Sequence, residues 1–515
     1  MNGKDGPRVD WVMSRANSSE LRPDSRFLAL YELDYADPAL LEVEGINPST
    51  LRPELGRVLT VRNITRESNT EPTFREFLST EEQGDNVRAD LTVPFIYDPQ
   101  KKDSPRFTAK IGLNRFVRER SVRGRLFTYL TGSNAAPNDQ AGVDFLSSGK
   151  VNSPEVIDGY RFNSAASQGY EVRDLTTAGQ TVRNVDASTL LEAGYLMGTA
   201  KVGKIELMAG VRLEREERDF YIIPELNPAG VADATNLPEP IANDYALPAA
   251  SLNWSFGKDD SHKLRLSYGK TVARPTFYEF APIRIVDQGT GDDIRGNPEL
   301  TDTLIDNFDL RWEWFPEPKE FAGLEMMAVS LFHKNLDSPI MTTRQGNLRS
   351  WQNFGSGTLQ GIEFELQKRL FDDFTVSTNF TYIDSLVTPG LEQLNAGVST
   401  ASVFEGQPTY IYNFSLGYEN KKLGLNANLV YNFTSEILDS ITGDVFTPNV
   451  YKEPTHSLDL ILSKKIRLGE VEGKLKFAAE NLLDLEERKY YEGENVTFER
   501  YKRGRVFSIG ISFDF

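Results

Sequence analysis

The sequence predicts an all-β protein, a large antiparallel transmembrane β-barrel, and three of its features carry that prediction. Apolar and polar residues alternate over many segments, short connections alternate with long ones, and the chain ends on an alternating strand with an aromatic last residue. A period of two is typical of a β-strand with two different faces. Together these features favour strands that face lipid on one side and water on the other.

The alternation recurs in Ile205–Leu213, Phe308–Trp314, Tyr410–Tyr418 and Leu423–Phe433. The longer runs reach about nine to eleven residues, which is the length that a tilted strand needs to cross a bilayer. A β-sandwich also gives each strand one apolar face. Here charges and amides lie on the polar faces and are nearly absent from the apolar ones. That separation favours a membrane barrel.

Short and long connections alternate along the chain. Lys201–Lys204 (KVGK) and Glu419–Lys422 (ENKK) are short, whereas Asp219–Tyr245, Ala273–Thr303 and the longest segment, Thr131–Thr189, read as long loops. This arrangement is typical of an outer-membrane barrel with short periplasmic turns and long extracellular loops. Strands of this length joined in this way give about 18 to 20 strands.

Composition excludes several functions. The chain has no cysteine, three isolated histidines and a formal net charge of −18. Nucleic acid is therefore not an expected partner, because its phosphates would be repelled. We expect no catalytic residues, cofactor or metal, and hence no enzyme. The start shows no basic stretch followed by an apolar run, so we expect no signal peptide. Residues 1–84 are predicted to hold early barrel strands and loops, and residues 85–515 the barrel itself.

From about Leu191 onward the chain resembles the C-terminal barrel of TonB-dependent outer-membrane receptors. The motifs that carry the resemblance are LRLSYGKTVARPTFYEFAP (Leu264–Pro282), GNPELTDTLIDNFDLRWEWF (Gly296–Phe315), ENLLD (Glu480–Asp484) and GRVFSIGISFDF (Gly504–Phe515). The resemblance implies a fold of up to about 22 strands in the complete receptor. It also implies the outer membrane of a Gram-negative cell, and energised uptake of a scarce nutrient (siderophore, cobalamin, glycan or peptide) that extracellular loops capture.

Members of that family carry a plug domain before the barrel, preceded by a segment that binds TonB. No plug-like sequence is recognisable here, so we expect no plug domain and a link to the TonB system only through the missing plug region. Two alternatives stay open. One is a plug-less passive outer-membrane channel. The other is a surface adhesion or assembly protein that uses the barrel as an anchor.

Loop aromatics are the candidate ligand-binding residues, because rings exposed above a barrel mouth can stack on sugars or aromatic chelators. Inward-facing arginines are candidates for contacts with a plug or ligand, because a guanidinium grips carboxylates in a bidentate manner. The loop candidates are Phe277, Tyr278, Phe280, Trp351, Phe354, Tyr490 and Tyr491, and the lumen candidates are Arg212 and Arg311.

The last strand, RVFSIGISFDF, predicts two further partners. Its alternation places one set of side chains toward outer-membrane lipid, and its terminal aromatic residue resembles the signal that the outer-membrane assembly machinery reads. Such a strand is expected to pair along both edges, because an open edge in lipid leaves backbone groups unsatisfied. The residues of this expected assembly signal are Phe507, Ile509, Ile511, Phe513 and Phe515.

Overall fold

The computed structural model describes most of the chain in a series of ranges. These are residues 6–28, 30–34, 57–61, 73–96, 106–131, 170–174, 184–222, 240–286, 293–317, 319, 321–345, 348–371, 373–395, 402–442, 448–469, 471–493 and 496–514.

Strands account for nearly all of the regular structure. The first part of the chain contains β1 (Arg8–Leu28), β2 (Leu30–Asp34), β3 (Arg57–Val61), β4 (Thr73–Ile96), β5 (Arg106–Thr131), β6 (Tyr170–Asp174), β7 (Val185–Val202), β8 (Ile205–Ile222), β9 (Ile241–Phe256) and β10 (His262–Ala273). The middle part contains β11 (Arg284–Val286), β12 (Asp293–Arg295), β13 (Thr303–Trp314), β14 (Leu324–Asp337), β15 (Ile340–Gln345), β16 (Leu348–Asn353), β17 (Ser356–Leu370) and β18 (Phe374–Thr388). The last part contains β19 (Tyr410–Asn420), β20 (Leu425–Thr434), β21 (Ile437–Thr442), β22 (Val450–Lys452), β23 (Thr455–Leu468), β24 (Val471–Glu480), β25 (Glu486–Tyr491), β26 (Thr497–Lys502) and β27 (Val506–Asp514).

Helices are short and few among the described residues. They are α1 (Phe277–Phe280), α2 (Leu391–Asn395) and one 3₁₀ turn at Lys258–Asp260. None of the helices in the described ranges has the length and apolarity needed to cross a membrane.

Within the described ranges the main sheet has 17 strands. Antiparallel pairing runs in chain order from β1 through β4, β5, β7, β8, β9, β10, β13, β14, β17, β18, β19, β20, β23 and β24 to β27. The short strand β6 lies beside β5 beyond the end of β7. Because each strand pairs with its sequence neighbour, the sheet is a meander that forms the wall of a large antiparallel barrel, as predicted.

Strand β8 shows how the wall is built. Its outward residues at the turn end are Ile205, Leu207, Ala209, Val211 and Leu213, and its next two outward residues, Arg215 and Glu217, are charged and exposed. An apolar outward band that ends in charges fits a strand that leaves a hydrocarbon layer at that level.

A second, 8-stranded sheet is built from the long connections. Its order is β11–β12–β16–β15–β21–β22–β25–β26, so four connections contribute one hairpin each. Two of the pairings that join neighbouring hairpins are parallel: β12 pairs with β16, and β15 pairs with β21. These four connections therefore form one hydrogen-bonded layer at the loop end of the barrel.

The start of the chain belongs to the same main sheet. Strand β1 pairs with β4 from Arg8↔Thr92 to Leu28↔Thr73. The predicted division between residues 84 and 85 falls inside β4, because the strand continues through Gly84 and Asp85 without a break in register with β5.

Candidate functional site

The outer half of β8 faces a folded loop instead of an open lumen. From Glu214 to Ile222 its residues alternate strictly between buried and exposed, and the buried ones face inward. The connection between β10 and β13 covers them. This connection carries α1, β11 and β12, and it folds onto the inward faces of β4, β5, β7 and β8.

Helix α1 places the aromatic residues of that connection. Thr276 and Glu279 form a capping box, in which the backbone N–H of Thr276 donates to Glu279 Oε2 over 2.6 Å. This reciprocal cap satisfies the first free N–H groups of the short helix. Phe277 and Phe280 then pack into a buried cluster with Leu78, Val122, Val185, Ala187, Phe220 and Ile222.

The expected exposure of these rings is therefore wrong for two of the three. Phe277 and Phe280 are 5% and 2% exposed, because the connection folds inward and buries them against the strands. Tyr278 is half-buried, and the guanidinium of Arg120 lies 5.2 Å from its ring centroid. Of this aromatic group, Tyr278 alone stays partly exposed, and ligand binding stays a prediction for it.

A cluster of buried charges fixes the connection to the wall. Arg274, at the start of the connection, donates to Glu214 over 2.5 Å and also to Glu216. At its end, Asp302 accepts from Arg218, and the hydroxyl of Tyr245 donates to the same carboxylate over 2.5 Å. We call these six residues the latch.

The latch ties both ends of one connection to one strand. The side chains of Arg218 and Asp302 are 2% and 1% exposed, so their attraction is screened little by water. Removing one member of such a pair leaves an uncompensated buried charge. The run EREER at Glu214–Arg218 shows charges of both signs in the sequence. Asp302 lies 84 positions after Arg218, and no local signal pairs Arg218 with Asp302.

The two lumen arginines are held by wall carboxylates. Arg212 donates to Glu214 over 2.5 Å. Arg311 donates to Glu313 over 2.9 Å and to both oxygens of Glu365 over 2.7 and 3.2 Å. These bonds orient both guanidinium groups along the wall, and contact with a plug or ligand stays a prediction for them.

The remaining loop aromatics lie in the second sheet. Phe354 is 3% exposed and packs with Met341, Val387, Leu438 and Ile441, so its expected exposure is wrong. Trp351 is half-buried in β16, and its carbonyl accepts a hydrogen bond of 2.9 Å from Asn297.

Tyr490 and Tyr491 in β25 are also half-buried. The hydroxyl of Tyr490 donates to Glu436, and burial together with this bond raises the pKa of Tyr490 above its ordinary range. Trp351 and these two tyrosines thus present part of their rings at the loop end, where ligand binding stays a prediction.

One buried carboxyl group connects the second sheet to the loop before β19. Glu405 Oε2 accepts a 2.8 Å hydrogen bond from the backbone N–H of Thr342, and Arg349 lies 3.7 Å from its other oxygen. Burial raises the pKa of Glu405, and the Thr342 bond and the Arg349 charge offset this only in part. The group therefore resists ionisation while the sheet is folded.

The last strand presents its apolar residues outward. Phe507, Ile509 and Ile511 are 62%, 77% and 56% exposed, and Phe513 is half-exposed. Phe515 lies outside the described residues. The register pairs described for β27 all join it to β24, so the expected pairing along both edges is met on one edge within the described ranges. The role of these residues in assembly stays a prediction.

Comparison with known proteins identifies relatives of the barrel. The family model "TonB dependent receptor-like, beta-barrel" matches residues 29–482. Comparison with curated protein sequences gave no significant match.

Three similar solved structures are the ferric citrate transporter FecA, the copper transporter OprC and BauA, the ferric preacinetobactin receptor from Acinetobacter baumannii. Their identities are 12%, 12% and 11%, and their TM-scores 0.55, 0.53 and 0.51. The matches cover 89%, 88% and 89% of this chain but only 56%, 64% and 58% of those chains. At such identity the likeness shows the fold alone.

Proposed function

The chain belongs to the TonB-dependent receptor-like β-barrel family, and from this premise we propose that it forms the barrel of a receptor for energised uptake of a scarce nutrient. We place it in the outer membrane of a Gram-negative cell. The extracellular loops capture the nutrient, and the TonB system acts through a plug region that occupies the lumen of the whole receptor.

The observation that carries this proposal is the organisation of the loop end. Four long connections form one 8-stranded sheet, and the latch holds one of the four, the β10–β13 connection, inside the mouth. A structured mouth with half-buried Tyr278, Trp351 and Tyr490 supports capture of a specific solute, since fixed aromatic faces need little ordering when a ligand binds.

The named cargoes of similar structures guide the choice of solute. Ferric citrate, copper and ferric preacinetobactin are metal ions or ferric complexes. We therefore propose that ferric complexes are the first class to test, with cobalamin, glycans and peptides as the other classes.

Uptake of labelled solute by cells with and without the gene tests the proposal. Energised uptake is expected to fall to background in the deletion strain and in a strain whose TonB system is inactive. Uptake that continues without TonB would instead support a passive channel. A deletion strain with normal uptake of every class but reduced surface attachment would support the adhesion alternative.

Liposome swelling with small neutral sugars separates the receptor from the channel by a second route. The whole receptor is expected to give no swelling, because a plug closes the lumen. Rapid swelling by the whole receptor would contradict energised uptake.

A further inference from the structure

The turn end of the lumen holds a row of charged side chains across neighbouring strands. Arg106 on β5 lies directly opposite Lys201 on β7, which lies opposite Glu206 on β8. The row continues through Asn253 on β9 to Arg265 on β10. The adjacent row is entirely apolar, so the charged row faces inward; the apolar row is Phe107, Ala200, Leu207, Leu252 and Leu266.

Arg106 and Lys201 form an unfavourable cross-strand pair. Like charges directly opposite each other destabilise a sheet. Elsewhere in the wall such contacts are compensated: Arg265 lies opposite Arg311, and both bind Glu313. Over the ranges that the structure describes, no carboxylate lies within ion-pair distance of Arg106 or Lys201, although Glu206 is the register partner of Lys201.

These side chains line a cavity of about 930 Å³ at the turn end of the wall. Two carboxylates also line it, Glu206 and Asp260, and Asp260 is already paired with Lys204 over 2.7 Å. Among the described residues that line this cavity, positive charge therefore exceeds negative charge; the cations are Arg106, Lys201, Lys204, Lys263 and Arg265.

We infer that this cavity binds the anionic group of a solute, a carboxylate or a phosphate, on its way through the lumen. The inference rests on the proposed function and narrows its cargo to anionic solutes. An oxyanion between Arg106 and Lys201 accepts charge-assisted hydrogen bonds from both and removes their repulsion. Excess cations along a concave wall also raise the local concentration of anions.

Titration of the detergent-solubilised protein with inorganic phosphate, followed by ³¹P NMR line width, tests the site. Succinate as a competitor tests whether a carboxylate occupies the same place. The Arg106→Gln/Lys201→Gln variant is expected to bind phosphate at least about tenfold more weakly, since two charge-assisted hydrogen bonds are lost. Binding to the unchanged protein is expected to weaken as sodium chloride rises, because salt screens exposed charges.

The matched control is Arg115→Gln/Arg215→Gln, which removes two positive charges from exposed outward positions. It is expected to bind phosphate as the unchanged protein does. Equal weakening by both double variants, or no weakening by the first, would overturn the inference.

A charge reversal keeps the test decisive if the first variant folds poorly. Arg106→Glu places opposite charges across β5 and β7, so it is expected to raise the unfolding temperature and to abolish phosphate binding. A stable Arg106→Glu protein that still binds phosphate overturns the inference. Failure of the site is distinguishable from failure of the proposed function, because phosphate binding is measured without transport. If cells show TonB-dependent uptake but the purified protein binds no phosphate, the inferred anion site is rejected and the proposed function stands.

Discussion

The hydroxyl of Tyr195 on β7 donates a 2.6 Å hydrogen bond to Asp90 on β4, across the intervening strand β5. The residue between them is Gly112, where a Cβ atom would stand 2.3 Å from Asp90 Oδ1 and 2.3 Å from the tyrosine ring. Arg88 and Lys110 complete the cluster, with nitrogen atoms 2.8 and 3.3 Å from Asp90. A glycine thus lets three strands share one polar contact on the lumen side.

Gly112→Ala is expected to destabilise the barrel by about 1–3 kcal/mol, because the added methyl group displaces the Tyr195 ring or the Asp90 carboxylate. Urea unfolding in detergent, followed by the heat-dependent shift in gel mobility, measures the change. Gly198→Ala on β7 is the matched control, since a Cβ atom there meets nothing within 4 Å. Equal urea midpoints of unfolding for the two variants would show that the Tyr195–Asp90 contact over Gly112 does not contribute to stability.

Asp302→Asn is expected to release the latch. The substitution removes the closer of the two carboxylates that pair with buried Arg218 and leaves Glu216 at 3.5 Å, so the expected loss is smaller than the about 3–5 kcal/mol of a buried charge with no partner. Hydrogen exchange at the amide of Ala281, which bonds to Phe277, is expected to accelerate while the barrel strands stay protected. Asp260→Asn serves as control because its partner Lys204 is exposed. The latch assignment fails if exchange at Ala281 is as slow as in the control.

Phe280→Ala is expected to lower stability, and Tyr278→Ala is expected to lower the affinity for solute. Truncating the buried Phe280 costs about 3–5 kcal/mol of stability through loss of contacts and a cavity. Truncating half-buried Tyr278 is expected to leave stability nearly unchanged and to weaken solute binding, measured by tryptophan fluorescence titration with the transported solute. Unchanged affinity in the Tyr278 variant would remove this ring from the ligand site.

Glu405→Gln is expected to remove a pH dependence from the second sheet. Because burial raises the pKa of Glu405, the folded sheet favours the protonated acid. The associated stability is full below the ordinary carboxyl pKa and is lost as pH rises through the raised value. Exchange protection at the Thr342 amide is therefore expected to fall as pH rises above the ordinary carboxyl pKa of about 4 in the unchanged protein and to stay level in the variant.

The control for that measurement is Glu472→Gln, whose partner Arg467 is exposed at a turn. It is expected to keep the pH dependence of the unchanged protein. If exchange protection at the Thr342 amide still falls with rising pH in the Glu405→Gln variant, the pH dependence belongs to another titratable group.

Phe515→Asp is expected to reduce assembly of the receptor in the outer membrane, because it replaces the aromatic end of the proposed assembly signal. Quantitative blotting of outer-membrane fractions, with heat-dependent mobility as the test of folding, measures it. Ser512→Asp on the opposite face of β27 is the matched control, since it adds the same charge toward the lumen side. If the folded Phe515→Asp variant reaches wild-type amounts in the outer membrane, the proposed role of Phe515 in the assembly signal is wrong.

The alternation of apolar and polar residues predicts the strands of the barrel wall well. It fails for segments whose packing or pairing partners lie far away in the chain. Ile205–Leu213 was predicted as a strand, and β8 begins at Ile205 but continues to Ile222. The extension is charged, so its sequence favours a solvated loop; burial comes from a connection that no local pattern links to it. The segment Ala273–Thr303 reads as a loop for a similar reason. It contains β11 and β12, and β12 pairs in parallel with β16 from another connection.

The length of the wall strands has a mechanical consequence. Strand β5 has 26 residues, which at about 3.3 Å per residue and a tilt of about 40° give a height near 65 Å. A hydrocarbon core of about 30 Å leaves roughly half of that height outside the hydrocarbon layer. Under the proposed location, the strands extend beyond the lipid on the loop side, so the entrance of the receptor lies well above the lipid surface. A solute then meets the protein before it meets the membrane.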